Sequence, residues 1–253
     1  MKLAYWITPA LRTLETKVTG VKTLDDGRQA VTLEQTIFYA QGGGQPADRG
    51  KITKIDDNSE CRVQNGELHA EKINSAFCIR NSEFVVTDVR FVDDDVYHYG
   101  TFVGDPLKVG DSVVLSIDWE RRWLNTRLHS AAHLLDAVMK QQYPDLKPLK
   151  SYHFPEGPYV EYQCLGSVDT EKMKAVILQS LVAYENAAVP VSTDTSNLNH
   201  RVVTIEASNA HTIPCGGTHV NSTADIGAIS IRKIKIKNEV CRISYALTSE
   251  VLR

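Results

Sequence analysis

The sequence has no long hydrophobic run, which excludes one class of protein. No stretch of its 253 residues approaches the roughly 18 consecutive apolar residues that a membrane-spanning helix needs. The opening residues, MKLAYWITPALR, are too short and too interrupted by polar residues and Pro9 for a signal peptide. We therefore expect a soluble protein of the cytoplasm that has no membrane partner.

The sequence also lacks an excess of charge of either sign. Its formal net charge is -3 at pH 7, so it has no global attraction to nucleic acid or to an anionic membrane. A nucleic-acid partner would have to bind a local basic surface. With 42% hydrophobic and 23% charged residues, the composition is that of a globular protein with one large domain or two ordinary ones.

Cysteine is scarce and unevenly placed, which argues against a secreted disulfide framework. The five cysteines are odd in number and scattered along the chain. We therefore expect a reduced compartment, in which any specialised cysteine serves a metal or catalysis.

Residues 11 to about 118 are rich in strand and turn signals. Lys17 to Tyr39 alternates polar and apolar residues around an Asp26-Gly27 turn, which predicts a hairpin. Further strands are predicted around Ile52, Cys61–Val63, Phe84–Val89 and Val113–Ile117, with turns at Asn65-Gly66 and Val109-Gly110-Asp111. Many short strands at regular spacing predict a small β-barrel.

The pattern changes near Asp118, which places a domain boundary at about residues 110–120. A helix is predicted from Glu120 to about Gln142, because apolar residues recur with helical period at Leu124, Leu128, Ala131, Leu135 and Val138. A second helix is predicted over about Thr170–Asn186, with Asp169 as its cap. The tail returns to strands, with a bulge at Arg232-Lys233 and a turn at Asn238-Glu239. This half is predicted to be α+β, with helices packed on an antiparallel sheet.

The stretch RLHSAAHLL places His129 and His133 four residues apart. On a helix, such positions share one face with Cβ atoms roughly 5–6 Å apart, so both imidazoles could reach one metal ion. Two half-buried, hydrogen-bonded histidines are the simpler interpretation of an isolated pair. The pattern is not the zinc-protease motif H-E-x-x-H, because Ser130 stands where the glutamate would be.

The stretch IPCGGTHV supplies a second pair of metal-binding groups. Cys215 and His219 offer a thiolate and an imidazole, both of which zinc prefers. Gly216-Gly217 lets the backbone turn tightly enough for both side chains to point at one spot. Three ligands would leave an open catalytic position, whereas four would close the site, and the sequence leaves both alternatives open.

Two further features carry weaker signals. The stretch FYAQGGGQPADRG lacks the Gly-Lys-Ser/Thr ending of a P-loop. It is either a flexible connection or a rigid turn that brings backbone donors and Gln45 or Asp48 to a ligand. The basic residues Arg232, Lys233, Lys235 and Lys237 form either a solvated strand face or a set of phosphate contacts.

Taken together, RLHSAAHLL and IPCGGTHV resemble the H-x3-H and C-x3-H pair of the alanyl-tRNA synthetase editing domain and of its free-standing relatives, the AlaX trans-editing proteins. YWITPALRTLETKV resembles the opening strand of that family. FYAQGGGQPADRG resembles its glycine-rich motif, although Ala40 stands in place of a proline. YENAAVPV and ADIGAISIRKIKIKNEVCRISYAL extend the similarity to nearly the whole chain, of the medium-sized AlaX type.

The resemblance implies a barrel of the translation-factor kind over residues 1–115, which includes the glycine-rich motif, and a zinc-dependent editing domain over residues 116–253. It implies hydrolysis of the ester that joins serine, or else glycine, to alanine tRNA, so mischarged alanine tRNA is the expected partner. One zinc ion per chain is expected at His129, His133, Cys215 and His219.

The resemblance also implies further site residues. Ser130, which stands where the family often has threonine, is the expected catalytic residue. Six residues are expected to bind substrate: Gly42, Gly43, Gly44, Gln45, Asp48 and Thr218. Editing is needed because an alanine pocket rejects a side chain that merely adds a hydroxyl by only about a hundredfold. Zinc would either activate water or orient the substrate, and we favour orientation because no carboxylate base adjoins either motif.

Three other functions compete with editing of alanine tRNA. A fragmentary alanine-tRNA ligase is disfavoured, because no class II ATP-binding motif set is evident. A non-catalytic RNA-binding module with a structural zinc would bind tRNA without deacylating it. An editor of threonine tRNA or of another mischarged tRNA would use the same chemistry.

Overall fold

The computed structural model describes residues 2–55, 82–197, 200–206 and 210–248. The chain divides after Asp118 into two compact units. Most of the first half forms the first unit, and most of the second half forms the second. The first unit comprises Met1–Ala40 and Ala47–Asp118, and the second comprises Gln41–Pro46 and Trp119–Arg253. The glycine-rich motif is thus divided, and its central Gln41–Pro46 belongs to the second unit.

The first unit contains a closed β-barrel, as the sequence predicts, and the barrel has six antiparallel strands. Eight strands are described in this unit: β1 (Lys2–Leu3), β2 (Thr13–Thr23), β3 (Gln29–Leu33), β4 (Gln35–Thr36), β5 (Gly50–Lys54), β6 (Glu83–Val92), β7 (Asp95–Val103) and β8 (Ser112–Ile117). The barrel order is β2-β3-β7-β6-β5-β8, while β1 and β4 form a separate parallel pair. A short 3-10 helix, Ala4–Trp6, follows β1.

The second unit combines helices with two antiparallel sheets. Its elements are α1 (Trp119–Gln142), β9 (Lys147–Tyr152), β10 (Tyr159–Gln163), α2 (Thr170–Ala187), β11 (Val191–Asp194), β12 (Val202–Ile205), β13 (His211–Pro214), β14 (Ile229–Lys237) and β15 (Val240–Leu247). One sheet has the order β14-β15-β10-β9 and the other the order β11-β12-β13. A 3-10 helix, Thr223–Asp225, precedes β14. With two α-helices among the described residues, the fold is compatible with the predicted α+β class.

Local turn chemistry explains the hairpins of both units. Strands β2 and β3 pair around the predicted turn, where Gly27 has a φ of +80°. Asn238 and Glu239 both have positive φ and connect β14 to β15, as their turn-forming character predicts.

The predicted bulge in β14 is confirmed. The pairing of β14 with β15 shifts between Ile231 and Lys233. The extra residue offsets the change of alternation, so Ile234 and Ile236 pack against the same core as Ile229 and Ile231 despite the phase change in the sequence.

The two helices match their predicted positions, but the predicted burial of one α1 residue, Leu124, is wrong. Asp169 caps α2 by accepting hydrogen bonds from the backbone N–H groups of Glu171 and Lys172. On α1, Leu128, Ala131, Leu135 and Val138 are buried in a core shared with α2 and both sheets. Leu124, expected on the same stripe, is 37% exposed, because it lies in the first turns of α1, ahead of the buried segment.

Some expectations fall on residues that are not described. The strand predicted at Cys61–Val63 and the turn at Asn65-Gly66 lie outside the described residues. Cys164, Cys215 and Cys241 are free thiols. None of the helices in the described ranges is long and apolar enough to cross a membrane.

Candidate metal centre

Helix α1 positions the two histidines of the H-x3-H motif. It is buried on nearly every side from Asn125 to Leu135, and this fixes the rotation of the helix. His129 is 1% exposed and His133 is 8% exposed. Their ring centroids lie 4.8 Å apart, as expected for positions one helical turn apart.

The C-x3-H loop that follows β13 is held by a buried arginine. Arg201 donates from Nη1 to Gly216 O (2.9 Å) and from Nη2 to Gly217 O (3.1 Å). Its own carbonyl accepts a hydrogen bond from Cys215 N. These contacts fix the backbone conformation of the loop that carries Cys215 and His219.

The structure brings all four predicted ligands together. Cys215 Sγ lies 3.2 Å from His129 Nε2 and 3.4 Å from His133 Nε2. The ligand atoms of His129, His133, Cys215 and His219 all lie within 4.8 Å of one another. Ligands of a tetrahedral zinc, at about 2.0–2.3 Å from the ion, would lie roughly 3.3–3.7 Å apart. The donor set and its spacing therefore fit zinc.

Unsatisfied ring nitrogens give a second reason to assign a cation here. Within the described part of the chain, both ring nitrogens of His219 and Nδ1 of His133 are buried without a hydrogen-bond partner. A buried polar atom without a partner costs about 1–3 kcal/mol. Coordination of a metal by His219 would remove part of that cost.

Burial keeps the imidazoles neutral, which is the form that binds metal. It lowers the pKa of His133 to about 4. Burial, helped by neighbouring histidines, lowers the pKa values of His129 and His219 well below 6.5. Burial also raises the pKa of the Cys215 thiol, although the Gly217 N–H and Arg201 oppose the shift. Metal binding would thus have to displace a thiol proton.

Gln45, from the glycine-rich motif, contacts the centre directly. Its Oε1 lies 2.8 Å from His129 Nδ1 and accepts a hydrogen bond from Thr218 N (3.1 Å). Its Nε2 donates to Thr218 Oγ1 (2.9 Å). The structure thus connects Gln45 and Thr218, both expected to bind substrate, to each other and to a metal ligand.

Ser130 and Asp48, two other expected site residues, form hydrogen bonds with backbone groups. Ser130 Oγ donates to Thr126 O and accepts from Val220 N, so this hydroxyl joins α1 to the residue after His219. Asp48 lies in the first unit, where its carboxylate accepts a hydrogen bond from Tyr39 N (2.7 Å).

The three consecutive glycines of the motif, Gly42, Gly43 and Gly44, form a tight turn with Gln45. The N–H of Gly42 bonds to Gln45 O, and Gln45 N bonds to Gly42 O. Gly43 and Gly44 both have positive φ, which disfavours a side chain. The carbonyl of Gly44 accepts a hydrogen bond from His153 N (2.9 Å), which anchors the turn beside β9.

His153 is a neighbour of the centre to which the sequence assigned no role in the site. Its ring centroid lies 4.7 Å from that of His129, and burial lowers its pKa to about 3. His153 Nδ1 lies 3.0 Å from Tyr245 Oη, which itself donates to Leu128 O. Tyr245 therefore accepts a hydrogen bond from His153. No spacing in the sequence marks His153 or Arg201, because both reach the centre only through the fold.

A cavity of about 550 Å³ lies in the second unit and is lined in part by residues close in sequence to two of the candidate metal ligands. Its walls come from α1 beyond His133 and from β13 just before Cys215. The lining residues include Asp136, Lys140, Lys147, Tyr162, His211 and Ile213. The Asp136 carboxyl accepts a hydrogen bond from Tyr162, and burial raises its pKa to about 6. The cavity thus combines apolar lining residues with two exposed lysines, Lys140 and Lys147.

Comparison with known proteins gives a consistent set of relatives. Residues 200–243 match the family described as the threonyl and alanyl tRNA synthetase second additional domain. The chain is 28% identical to the alanyl-tRNA editing protein AlaX-L of Pyrococcus horikoshii, over 95% of this chain and 56% of that protein. It is 27% identical to AlaX-M of Methanosarcina barkeri, over 91% of this chain and 93% of that protein.

A longer protein also matches. The alanine–tRNA ligase of Saccharolobus islandicus is 27% identical over 95% of this chain, but only 26% of the ligase is covered. The chain therefore spans about half the length of AlaX-L and about a quarter of the ligase.

Proposed function

We propose that this chain, which is related over most of its length to AlaX-type alanyl-tRNA editing proteins, is a zinc-dependent aminoacyl-tRNA hydrolase. Its relatives support alanyl-tRNA editing in general. The finer proposal is that serine attached to alanine tRNA is the main substrate, with glycine second. The observation that carries it is the convergence of the candidate ligand atoms of His129, His133, Cys215 and His219, which all lie within 4.8 Å of one another.

The reaction is the hydrolysis of an ester that is already reactive. Water adds to the carbonyl carbon, and the bond to the terminal ribose oxygen breaks, which releases the amino acid and the tRNA. A zinc ion held by the four ligands would supply a fixed positive charge that orients the amino acid and the ribose. The second unit shields the centre from bulk water, since His129, His133 and His219 are each at most 8% exposed.

Ser130 has a positioning role in this proposal. Its hydroxyl contacts Thr126 O and Val220 N, and so holds the chain after His219 against α1. This use of the hydroxyl is compatible with either serine or threonine at the position. Ser130 thus contributes by keeping two pairs of ligands in register.

The cavity is proposed to receive the terminal nucleotide of the charged tRNA. Its apolar walls suit a base, and Lys140 and Lys147 lie where a phosphate would need compensation. Since Asp136 and Ile213 lie close in sequence to His133 and Cys215, a nucleotide bound here would have its ribose close to the metal ligands.

Two observations favour second candidates. Four protein ligands complete a tetrahedral site, which favours a structural zinc in a non-catalytic tRNA-binding module. The matched family also includes threonyl-tRNA synthetase by name, which favours an editor of threonine tRNA.

One experiment separates these functions. Purified protein is mixed with alanine tRNA charged with serine, glycine or alanine and with threonine tRNA charged with serine, and zinc content is measured alongside. We expect rapid loss of serine from alanine tRNA, slower loss of glycine, and stable Ala-tRNA. Cys215→Ala and His133→Ala should lose both zinc and hydrolysis, whereas His200→Ala, an exposed histidine, should keep both.

Other results would contradict the proposal. Zinc-loaded protein that binds charged tRNA and leaves every ester intact would indicate the RNA-binding module. Hydrolysis restricted to threonine tRNA would show that threonine tRNA, and not alanine tRNA, is the substrate. Hydrolysis by protein without bound metal would show that the reaction does not need zinc.

A further inference from the structure

The side chain of Gln45 is fully buried, and all of its hydrogen-bonding contacts lie at the metal centre. It is 0% exposed, and its amide contacts His129 and Thr218. A backbone N–H can only donate, so the Gln45 atom that lies 3.1 Å from Thr218 N must be the amide oxygen. The orientation of the amide is therefore determined by the backbone of the C-x3-H loop.

This orientation determines the tautomer of His129. The same oxygen lies 2.8 Å from His129 Nδ1. Because an amide oxygen only accepts, Nδ1 must carry the proton, and Nε2 must hold a lone pair. That lone pair belongs to the nitrogen that faces Cys215 Sγ at 3.2 Å, within the group of metal ligands.

We infer that Gln45 is a positioning residue of the metal centre, which holds His129 as the Nδ1–H tautomer and so presents Nε2 to the cation. The inference rests on the zinc site of the proposed function. It assigns Gln45 to the metal ligand instead of to the substrate. Hydrogen bonds of this kind to a ligand imidazole fix its ring and raise its basicity.

Gln45 also joins the two pairs of ligands. It contacts His129 on α1 and, through both of its polar atoms, Thr218 between Cys215 and His219. Thr218 Oγ1 in turn lies 2.6 Å from Thr126 Oγ1. Because Thr126 belongs to α1, this hydrogen bond links the C-x3-H loop to the helix a second time. The turn that carries Gln45 is closed by its own backbone bonds to Gly42. The glycine-rich segment thus becomes a structural part of the centre.

The test measures zinc affinity and the His129 tautomer instead of activity. Gln45→Leu keeps most of the side-chain volume but removes the acceptor, and we expect zinc affinity to fall on the order of 10- to 100-fold in competition with a chelating dye. Gln45→Glu retains an acceptor for both His129 Nδ1 and Thr218 N, so its affinity should stay near that of wild type. Gln41→Leu, the same substitution at a half-exposed position of the same segment, is the matched control and should bind zinc like wild type.

Imidazole ¹⁵N spectra of metal-free wild type supply a second readout that needs no variant to fold. A protonated Nδ1 and an unprotonated Nε2 at His129 support the inference, and the opposite tautomer overturns it. Unchanged zinc affinity in Gln45→Leu also overturns it and leaves the hydrolase proposal intact. Absence of zinc binding by wild type removes the zinc site itself, so the two failures are distinguishable.

Discussion

At the scale of single residues, the centre depends on how closely the backbone of Gly217 approaches His129. A Cβ at Gly217 would lie 2.3 Å from His129 Cε1 and 2.6 Å from Nδ1, distances that real Cβ atoms do not show. It would also lie 3.1 Å from Gln45 Oε1. A Cβ at the neighbouring Gly216 would meet nothing within 4 Å. Of the two glycines, the second is thus the one that the metal centre requires.

The adjacent glycines allow a matched comparison. Gly217→Ala should displace His129, destabilise the protein by about 1–3 kcal/mol through overpacking and reduce zinc affinity strongly. Gly216→Ala should change neither quantity appreciably. Urea unfolding of the metal-free proteins and zinc titration of each measure the two effects. Equal behaviour of the two variants would contradict the close approach.

At the scale of elements, α1 serves both the centre and the cavity. Its buried middle carries His129 and His133, while its last turn carries Lys140 at the cavity wall. Lys147, at the start of β9, lies on the same wall. One helix therefore determines the distance between the metal ligands and the proposed nucleotide site.

Removing the two lysines should weaken tRNA binding and spare the chemical step. For Lys140→Ala with Lys147→Ala we expect the KM for charged tRNA to rise on the order of tenfold, with kcat nearly unchanged. The dependence of binding on salt should become shallower, because fewer phosphate contacts release counterions. Steady-state deacylation at several salt concentrations measures both quantities.

The exposed lysines of β14 provide the comparison. The double variant Lys233→Ala, Lys235→Ala removes the same number of positive charges from the exposed face of β14. On the sequence alone, this face is the other surface that could contact phosphates. If KM rose strongly in this β14 variant and not in the cavity variant, the result would show that tRNA contacts β14 and not the cavity.

At the scale of the whole molecule, the barrel holds a neutral histidine in its interior. His98 is fully buried, with Nδ1 3.0 Å from Val31 O and Nε2 2.8 Å from Thr36 Oγ1. A carbonyl only accepts, so Nδ1 carries the proton and Thr36 donates to Nε2. Burial lowers the pKa of His98 to about 4.

This histidine should make stability depend on pH. In the unfolded chain His98 takes up a proton near pH 6.5, whereas in the folded chain it does so only near pH 4. The unfolded state thus binds more protons between these values, and stability falls as the pH falls. A shift of this size corresponds to roughly 3 kcal/mol between neutral pH and pH 4.

Urea unfolding of the zinc-free protein from pH 7 to pH 4 measures this contribution. His98→Asn should be less stable at pH 7 but should lose less stability on acidification, while His200→Asn should keep the wild-type slope. An unchanged slope in His98→Asn would show that His98 does not contribute. The buried histidines of the second unit add a dependence of the same sign that both variants retain.

Much of the local structure was determined by the sequence alone. The turns at Gly27 and at Asn238-Glu239, the Asp169 cap and the bulge after Ile231 follow from side chains that act on their own or adjacent backbone. The candidate ligand types could also be read from the sequence, because zinc prefers thiolate and imidazole ligands and both pairs of such residues stand at short spacing. Strand β7 (Asp95–Val103) was not predicted from the sequence, so even local signals are incomplete.

Only the tertiary structure decided how the centre is completed. Gln45 lies 84 positions from His129 and 173 from Thr218, yet it contacts both. His153 and Arg201 reach the centre in the same way, each from a segment with no motif around it. The period of hydrophobic residues and the residues of turns predict only interactions between positions that are close along the chain. These hydrogen bonds instead depend on the path of the backbone between distant segments. The sequence therefore named the four groups that would hold the metal, and the fold decided which groups orient them.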